Sequence, residues 1–371
     1  MGKDSRLRAV AVLCALFGLT SATGCIGSTG KPVDWFVAYK LPKIEGSTKL
    51  IRAGVAHVYL DVDNPKWVLS DTPVNVSNQA IGFTLNQIYK GPKRDDITYL
   101  MYNDESPDGS VHENRGHLKG VVAFDDKHGF WLVHSVPKFP PMAKDGYDYP
   151  ESGHYFGQTF LCISLDGSYF NKIAKQLLVS WPYVFDFNIP QSSRYSKDRD
   201  LQSVVKGKHN KLHTSVYSLP TLHSQTFISL SKNKYWGQDL YTDLVAPHFK
   251  SSLYTETWQN GSEDMHSNCT TVYKVENIRD IALPFSINFS DTKDHAKWAV
   301  TSSKGVQWIC IGDINRQVSQ KHRGGGTVCT NHTALWKAFN DAIEKYEPCP
   351  GDSQKMHQEK NERLKFEPGH L

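Results

Sequence analysis

His117-Leu118-Lys119-Gly120-Val121-Val122-Ala123-Phe124 is a His-x-Lys pair running directly into an apolar, β-branched stretch, and His295-Ala296-Lys297-Trp298-Ala299-Val300-Thr301 repeats the arrangement far along the chain. On an extended segment residues i and i+2 project to the same side, so each stretch sets an imidazole beside an ammonium at the mouth of a strand. Each half also ends a later strand in polar groups, His134-Ser135 in one and Gly312-Asp313-Ile314-Asn315-Arg316 in the other. Two such half-sites meeting face to face place two His and two Lys around one phosphate. The lysines neutralise charge developing on the phosphorus oxygens, one imidazole attacks phosphorus, and the other protonates the leaving oxygen.

Spacing alone does not choose the pair. The pattern also occurs at His209-Asn210-Lys211 and His248-Phe249-Lys250, where composition predicts about one chance match. The His209 copy has no strand pattern behind it and reads as solvated loop. The His248 copy precedes a strand-like run at Leu253 and stays open at this point.

Working outward, runs rich in β-branched and aromatic residues recur at Trp35–Tyr39, His57–Leu60, Thr98–Tyr102, Phe130–Val133, Gln158–Ser164, Leu253–Thr257 and Val306–Ile311. Two helices are predicted: Ser168–Val179, and Asn331–Tyr346 with Thr333 as cap and Leu335, Phe339 and Ile343 on its apolar face. Mixed strands and helices point to an α/β or α+β sandwich. The basic stretch 191–211 reads as an exposed loop connecting an N-terminal half, 25–190, to a C-terminal half, 212–350, followed by a polar tail, 351–371. Its basic residues read first as a solvated face and second as a contact to a nucleic-acid backbone. Gly324-Gly325-Gly326 reads as a tight turn beside Cys329, because the phosphate-loop pattern GxxxxGK[ST] is absent.

Lys3, Arg6 and Arg8, the apolar run Ala9–Leu19 and the small residues 20–24 have the order of a secretory signal peptide, 1–24. No stretch reaches the roughly 18 apolar residues of a membrane span. Of seven cysteines, Cys14 lies in the signal; the other six suit three disulfides in an oxidising compartment, with the pairing left open by spacing. Sequons at Asn75, Asn260, Asn268, Asn288 and Asn331 agree with export as glycosylation sites, and no KDEL-type ending is present, so secretion or an acidic vesicle is expected. The 42 Lys and Arg and 38 Asp and Glu lose three and one with residues 1–24, leaving 39 against 37, or +2, before 16 His charge in acid. Such a chain binds a polyanion more strongly in an acidic compartment. A composition 39% hydrophobic and 22% charged excludes a mainly disordered chain. HExxH, GxSxG and carboxylate clusters are missing, which removes support from zincin, serine-hydrolase and two-metal nuclease readings.

Longer segments carry a resemblance. Pro32-Val33-Asp34-Trp35-Phe36-Val37 continues through Ala38-Tyr39-Lys40-Leu41-Pro42. With it go His134-Ser135-Val136-Pro137-Lys138-Phe139-Pro140, Gly157-Gln158-Thr159, Asp294-His295-Ala296-Lys297-Trp298, Gly312-Asp313-Ile314-Asn315-Arg316 and Arg323-Gly324-Gly325-Gly326-Thr327. Together they resemble the deoxyribonuclease II family, from about Cys25 to Cys349. The resemblance implies a fold similar to the phospholipase D superfamily: α/β (mixed), two αβα sandwich halves related by a pseudo-twofold. It implies an acid endonuclease that hydrolyses DNA phosphodiester bonds without metal or other cofactor, leaving 3′-phosphate and 5′-hydroxyl ends. DNA is then the partner through its backbone, with no membrane, as monomer or homodimer, in lysosomes or secretions. The paired motifs fall on His117/Lys119 and His295/Lys297, leaving His248/Lys250 outside the site, and the second-half asparagine falls on Asn315. The implied disulfides are Cys25–Cys162, Cys269–Cys349 and Cys310–Cys329. Two departures stand out: only Asp125 approximates the superfamily's acid after the first motif, with none after Lys297, and Lys138 stands where family members often carry Asn.

In the mechanism so implied, neutral His117 attacks phosphorus, protonated His295 gives its proton to the departing 5′ oxygen and then activates water, and the two roles are exchangeable. Lys119 and Lys297 hold nonbridging oxygens, with Asn315 donating a further hydrogen bond. His134, Ser135 and Lys138 are candidate substrate-binding residues, His134 reading equally as a strand-end His, and Asp313 as the anchor of a turn or an Arg. A phospholipase D-like phosphodiesterase on a non-DNA substrate, and an exported non-catalytic DNA-binding protein, are the alternatives.

Overall fold

The computed structural model describes residues 22–91 and 94–350; nearly all of the signal segment and the tail 351–371 lie outside the described residues. The chain folds as two sheets. The first holds β1 (Trp35–Lys40), β2 (His57–Asp61), β3 (Val68–Leu69), β4 (Thr98–Asn103), β5 (Lys119–Phe124), β6 (His128–His134), β7 (Gln158–Asp166) and β8 (Val184–Asn188). The second holds β9 (Thr214–Pro220), β10 (Thr226–Lys232), β11 (Leu253–Glu256), β12 (Val275–Leu283), β13 (Ile287–Ser290), β14 (Trp298–Thr301), β15 (Ile309–Gly312), β16 (Gly325–Thr330) and β17 (Ile343–Tyr346). The order β1-β7-β6-β5-β4 in one sheet matches β10-β16-β15-β14-β11 in the other, every neighbour antiparallel. The flanks differ: β8 runs antiparallel to β4, β12 parallel to β11.

The central strands are buried on both faces, which is why they read as near-continuous apolar runs. Trp35, Val37 and Tyr39 of β1 enter one core, while Phe36 and Ala38 enter another. Helix α2 (Ala80–Tyr89) covers the outer face of the first sheet with Ile81, Leu85 and Ile88. Tyr241, Val245 and the short helix α5 (Ala246–Phe249) cover the outer face of the second; α1 (Lys49–Ala53) is a single turn before β2. Between the sheets lie α3 (Phe170–Ser180), α4 (Arg199–Val205) and α6 (Thr333–Asn340), whose Ile173, Leu177, Leu335 and Phe339 share one core with both sheets. The α/β fold is therefore two sandwiches fused through a common helical layer.

Three local readings are corrected. The stretch 331–346 is a helix followed by a strand: α6 ends at Asn340, and Ile343 pairs with Ile281 to give β12 a partner. Its cap is His332, which accepts from Leu335 N at 3.3 Å, rather than Thr333. The connecting stretch 191–211 is no bare loop, because Asp198 caps α4 by accepting from Leu201 N at 2.9 Å and Leu201 and Val204 bury. The glycine run is not a turn: Gly325 and Gly326 begin β16. A Cβ on Gly326 would lie 2.3 Å from Leu230 O, so glycine allows the close strand approach.

Candidate active site

The antiparallel registers put the starts of β5 and β7 and the ends of β4 and β6 at one margin of the first sheet. The starts of β14 and β16 and the ends of β11 and β15 share the corresponding margin of the second. The two margins meet. His117 N donates to Gly324 O at 2.8 Å, and His295 N donates to Gly157 O at 2.9 Å, so each His-x-Lys motif is tied to the opposite sheet. The approach is so close that a Cβ on Gly157 would sit 2.2 Å from Asp294 Oδ1.

The imidazoles are held alike. His117 Nδ1 lies 2.7 Å from Asp313 O, and His295 Nδ1 lies 3.0 Å from Ser135 O and 3.2 Å from Gln158 Oε1. Asp313 follows β15 directly, as Ser135 follows β6. Carbonyl oxygens only accept, so both rings carry the proton on Nδ1 and keep the Nε2 lone pair free. Ser135 Oγ donates to Gln158 Oε1 at 2.6 Å and accepts from Thr159 N at 3.0 Å, which fixes the carbonyl that holds His295. Burial, then Lys119, holds His117 well below the ordinary imidazole range; burial, then Lys297 and Lys119, does the same to His295.

The surroundings differ. Lys119 Nζ donates to Asp104 Oδ1 at 2.5 Å, Arg323 donates to Asp104 Oδ2 at 3.0 Å, and His117 Nε2 stands 4.0 Å from that oxygen. Burial pushes the Asp104 carboxyl up, but Lys119, His117 and Arg323 outweigh it and hold the group far below the usual carboxylate range. Asn103 pairs with Lys119 and Glu256 with Trp298; one more step of that register sets Thr257 opposite Lys297. The next residue is Asp104 in the first half and Trp258 in the second. Trp258 packs edge-on against the His295 ring at 5.4 Å and against Phe156 at 4.5 Å. Lys297 Nζ donates to the carbonyl of its own motif's histidine, His295 O, at 2.6 Å and lies 3.1 Å from His295 Nδ1. Burial, then Lys119, pushes its ammonium well below the usual lysine range. Burial also pushes Asp313 up to about 8 and Asp294 up to about 6. Asp294 braces the second motif by accepting from Ala296 N at 3.1 Å and from the Tyr39 hydroxyl.

The other candidate residues scatter. His134 is buried, packs on Phe139 and Phe160 and accepts from Val136 N, leaving Nε2 without a partner. Lys138 adopts φ 61° and donates its N–H to Glu105 O; this left-handed backbone suits an Asn better than a Lys. Asn315 is buried with its Oδ1 unpartnered. Asp125 is remote, its carboxylate accepting from Lys127, His128 and Thr23 N–H groups at the β5–β6 turn. The acid beside Lys119 is Asp104 instead; Asp104, Gln158, Arg323 and Trp258 are not among the site residues expected from the sequence, although Gln158 and Arg323 stand in the segments that carry the resemblance. Asp313 holds His117 and accepts from Lys119 N, not from an arginine; Arg316 turns to Asn277 and His266 O. His248 sits on α5, and His209 lies at the surface near Trp181. Disulfides join Cys25–Cys162, Cys269–Cys349 and Cys310–Cys329. Asn75, Asn260, Asn288 and Asn331 are exposed and Asn268 half-buried.

The family profile described as Deoxyribonuclease II matches residues 24–349. The chain is 42% identical over 347 residues to plancitoxin-1 of Acanthaster planci, covering 92% of this chain and 97% of that protein. It is 38% identical over 352 residues to deoxyribonuclease-2-alpha of Mus musculus, covering 92% and 98%. Cell death-related nuclease 6 of Caenorhabditis elegans is 38% identical over 360 residues, covering 92% and 94%.

Proposed function

The chain belongs to the deoxyribonuclease II family and is a deoxyribonuclease, and from that premise we propose that it is an acid endonuclease working without metal through a phosphohistidine. The carrying observation is the reciprocal clasp: each imidazole is held through Nδ1 by a carbonyl of the opposite half, leaving two Nε2 atoms for one phosphodiester. The asymmetry supports the exchanged roles. Asp104 stabilises a protonated His117, whereas His295 faces Lys297 and Trp258 with no carboxylate contact among the described residues. His295 Nε2 then attacks phosphorus, and the bond to the 5′ oxygen breaks as His117 delivers its proton there. His117 next takes a proton from water, whose oxygen displaces His295 and releases a 3′-phosphate. Lys119 and Lys297 bind the nonbridging oxygens, and Asn315 adds a hydrogen bond in this reading.

Acid chemistry follows from the same surroundings. Burial and the lysines oppose a proton on His117, so lowering the pH supplies the imidazolium that the first step needs. The incoming anion then raises its proton affinity. Lysosomal or secreted action agrees with the disulfides, and the halves are taken as 25–190 and 212–350. Plasmid digestion in EDTA at about pH 5, with analysis of the ends, tests the reading: His295→Ala abolishes cleavage, and a variant that still cuts refutes it.

A further inference from the structure

A cationic, aromatic surface adjoins the His117 side of the site. Trp181 ends α3 in the left-handed conformation, φ 57°, and donates its indole N–H to Gly207 O at 2.7 Å. The same carbonyl accepts from Arg115 at 2.7 Å. Around that indole stand Lys234 Nζ at 4.5 Å, the Arg115 guanidinium at 4.8 Å and the His209 ring at 4.3 Å. The chain continues outward through Tyr235, 62% exposed, and the exposed Lys206 and Lys208 flanking Gly207. Among the described residues no carboxylate pairs with Arg115, His209 or Lys234. Gathering like charges without a counter-ion is a standing cost that a bound polyanion removes.

The surface is rigidly registered to the reaction centre. Arg115 is two residues from His117; the intervening Gly116 donates its N–H to Trp181 O at 2.8 Å, and a Cβ there would meet Ser180 O at 2.1 Å. Arg323 Nε donates to Arg115 O at 2.7 Å while its Nη2 reaches Asp104. We propose that this strip receives a DNA strand flanking the scissile phosphate, its cations on backbone phosphates and Tyr235 stacking with a base or sugar. The proposal rests on the nuclease reading and deepens it by giving the substrate a path on one side of the cleft.

The test compares wild type, Lys206→Ser/Lys208→Ser/Lys234→Gln and Tyr235→Ala, all full-length, on plasmid DNA and on bis(p-nitrophenyl) phosphate. The triple variant is expected to raise the plasmid KM about ten-fold and to lower the log–log salt slope of kcat/KM by roughly one for each phosphate no longer neutralised. Its kcat, and its rate on the small diester, stay at the wild-type level. Tyr235→Ala raises the plasmid KM without changing the slope. Unchanged plasmid KM and slope overturn the proposal, as does an equal loss on both substrates, which marks a merely structural role. A wild type inert on both substrates defeats the nuclease reading itself, whereas an active wild type with unaltered variants defeats only this surface.

Discussion

The two His-x-Lys motifs share a backbone path and a carbonyl clasp but not an electrostatic setting. In the first half Asp104 accepts from Lys119 and Arg323 and faces His117; at the corresponding register position the second half places Trp258 against His295, and Lys297 donates to the carbonyl of His295 two residues before it. The matching fold supplies two imidazoles held alike, and Asp104 favours a proton on His117 where Trp258 offers His295 no charge. Pushing apart the proton affinities of paired groups is how a site assigns one as acid and the other as base or nucleophile.

The strongest challenge to that comparison is to remove each imidazole. His117→Ala and His295→Ala are each expected to lower plasmid cleavage by about 10³-fold or more. In the first turnover on a diester with a p-nitrophenolate leaving group, which departs without a proton, the burst of His117→Ala regains most of the loss and that of His295→Ala does not. Equal behaviour of the two variants would show that the halves are interchangeable.

Asp104→Asn sharpens the comparison. The carboxylate raises the proton affinity of His117, so its removal moves the alkaline limb of the kcat profile to lower pH, with about a ten-fold loss at the wild-type optimum. A limb left in place would mean that Asp104 only anchors Lys119. Trp258→Leu is expected to cost less: about 1 kcal/mol of aromatic packing on His295, read as a few-fold rise in KM with the pH profile kept.

The last prediction concerns stability rather than rate. Asp313, pushed up to about 8, binds its proton more tightly folded than unfolded. Its burial therefore costs nothing below the unfolded pKa near 4 and costs progressively more as pH rises through about 8. Asp313→Asn removes that cost while retaining an acceptor for Lys119 N. The Tm of the variant should exceed wild type by a margin that widens from about pH 4 to about pH 8; a margin constant with pH would show that the carboxyl does not titrate in this window.

Much of the architecture is legible in the chain because the central strands bury both faces and so appear as uninterrupted apolar runs, as from Gly120 to Phe124 and from Trp298 to Thr301. Helix α2 is hidden because Thr84 and Gln87 on it are spent on Ile26 and Gly24, which blurs its apolar stripe. The paired histidines and lysines are legible by repetition. Asp104, Trp258 and Gln158 are not: their relation to those groups exists only once the β4–β5, β11–β14 and β6–β7 registers are formed. Asp125 misled for the same reason, since nearness along the chain to Lys119 sends it to the far end of β5.

The most direct measurement is to quench a single turnover of wild type on labelled DNA at acid pH and to map the phosphorylated peptide. Label on His295, stable to base and lost in acid, with none on a His295→Ala protein, is the predicted result. Label on His117, or hydrolysis with no protein-bound phosphate at any time, contradicts the assignment of roles drawn from Asp104 and Trp258.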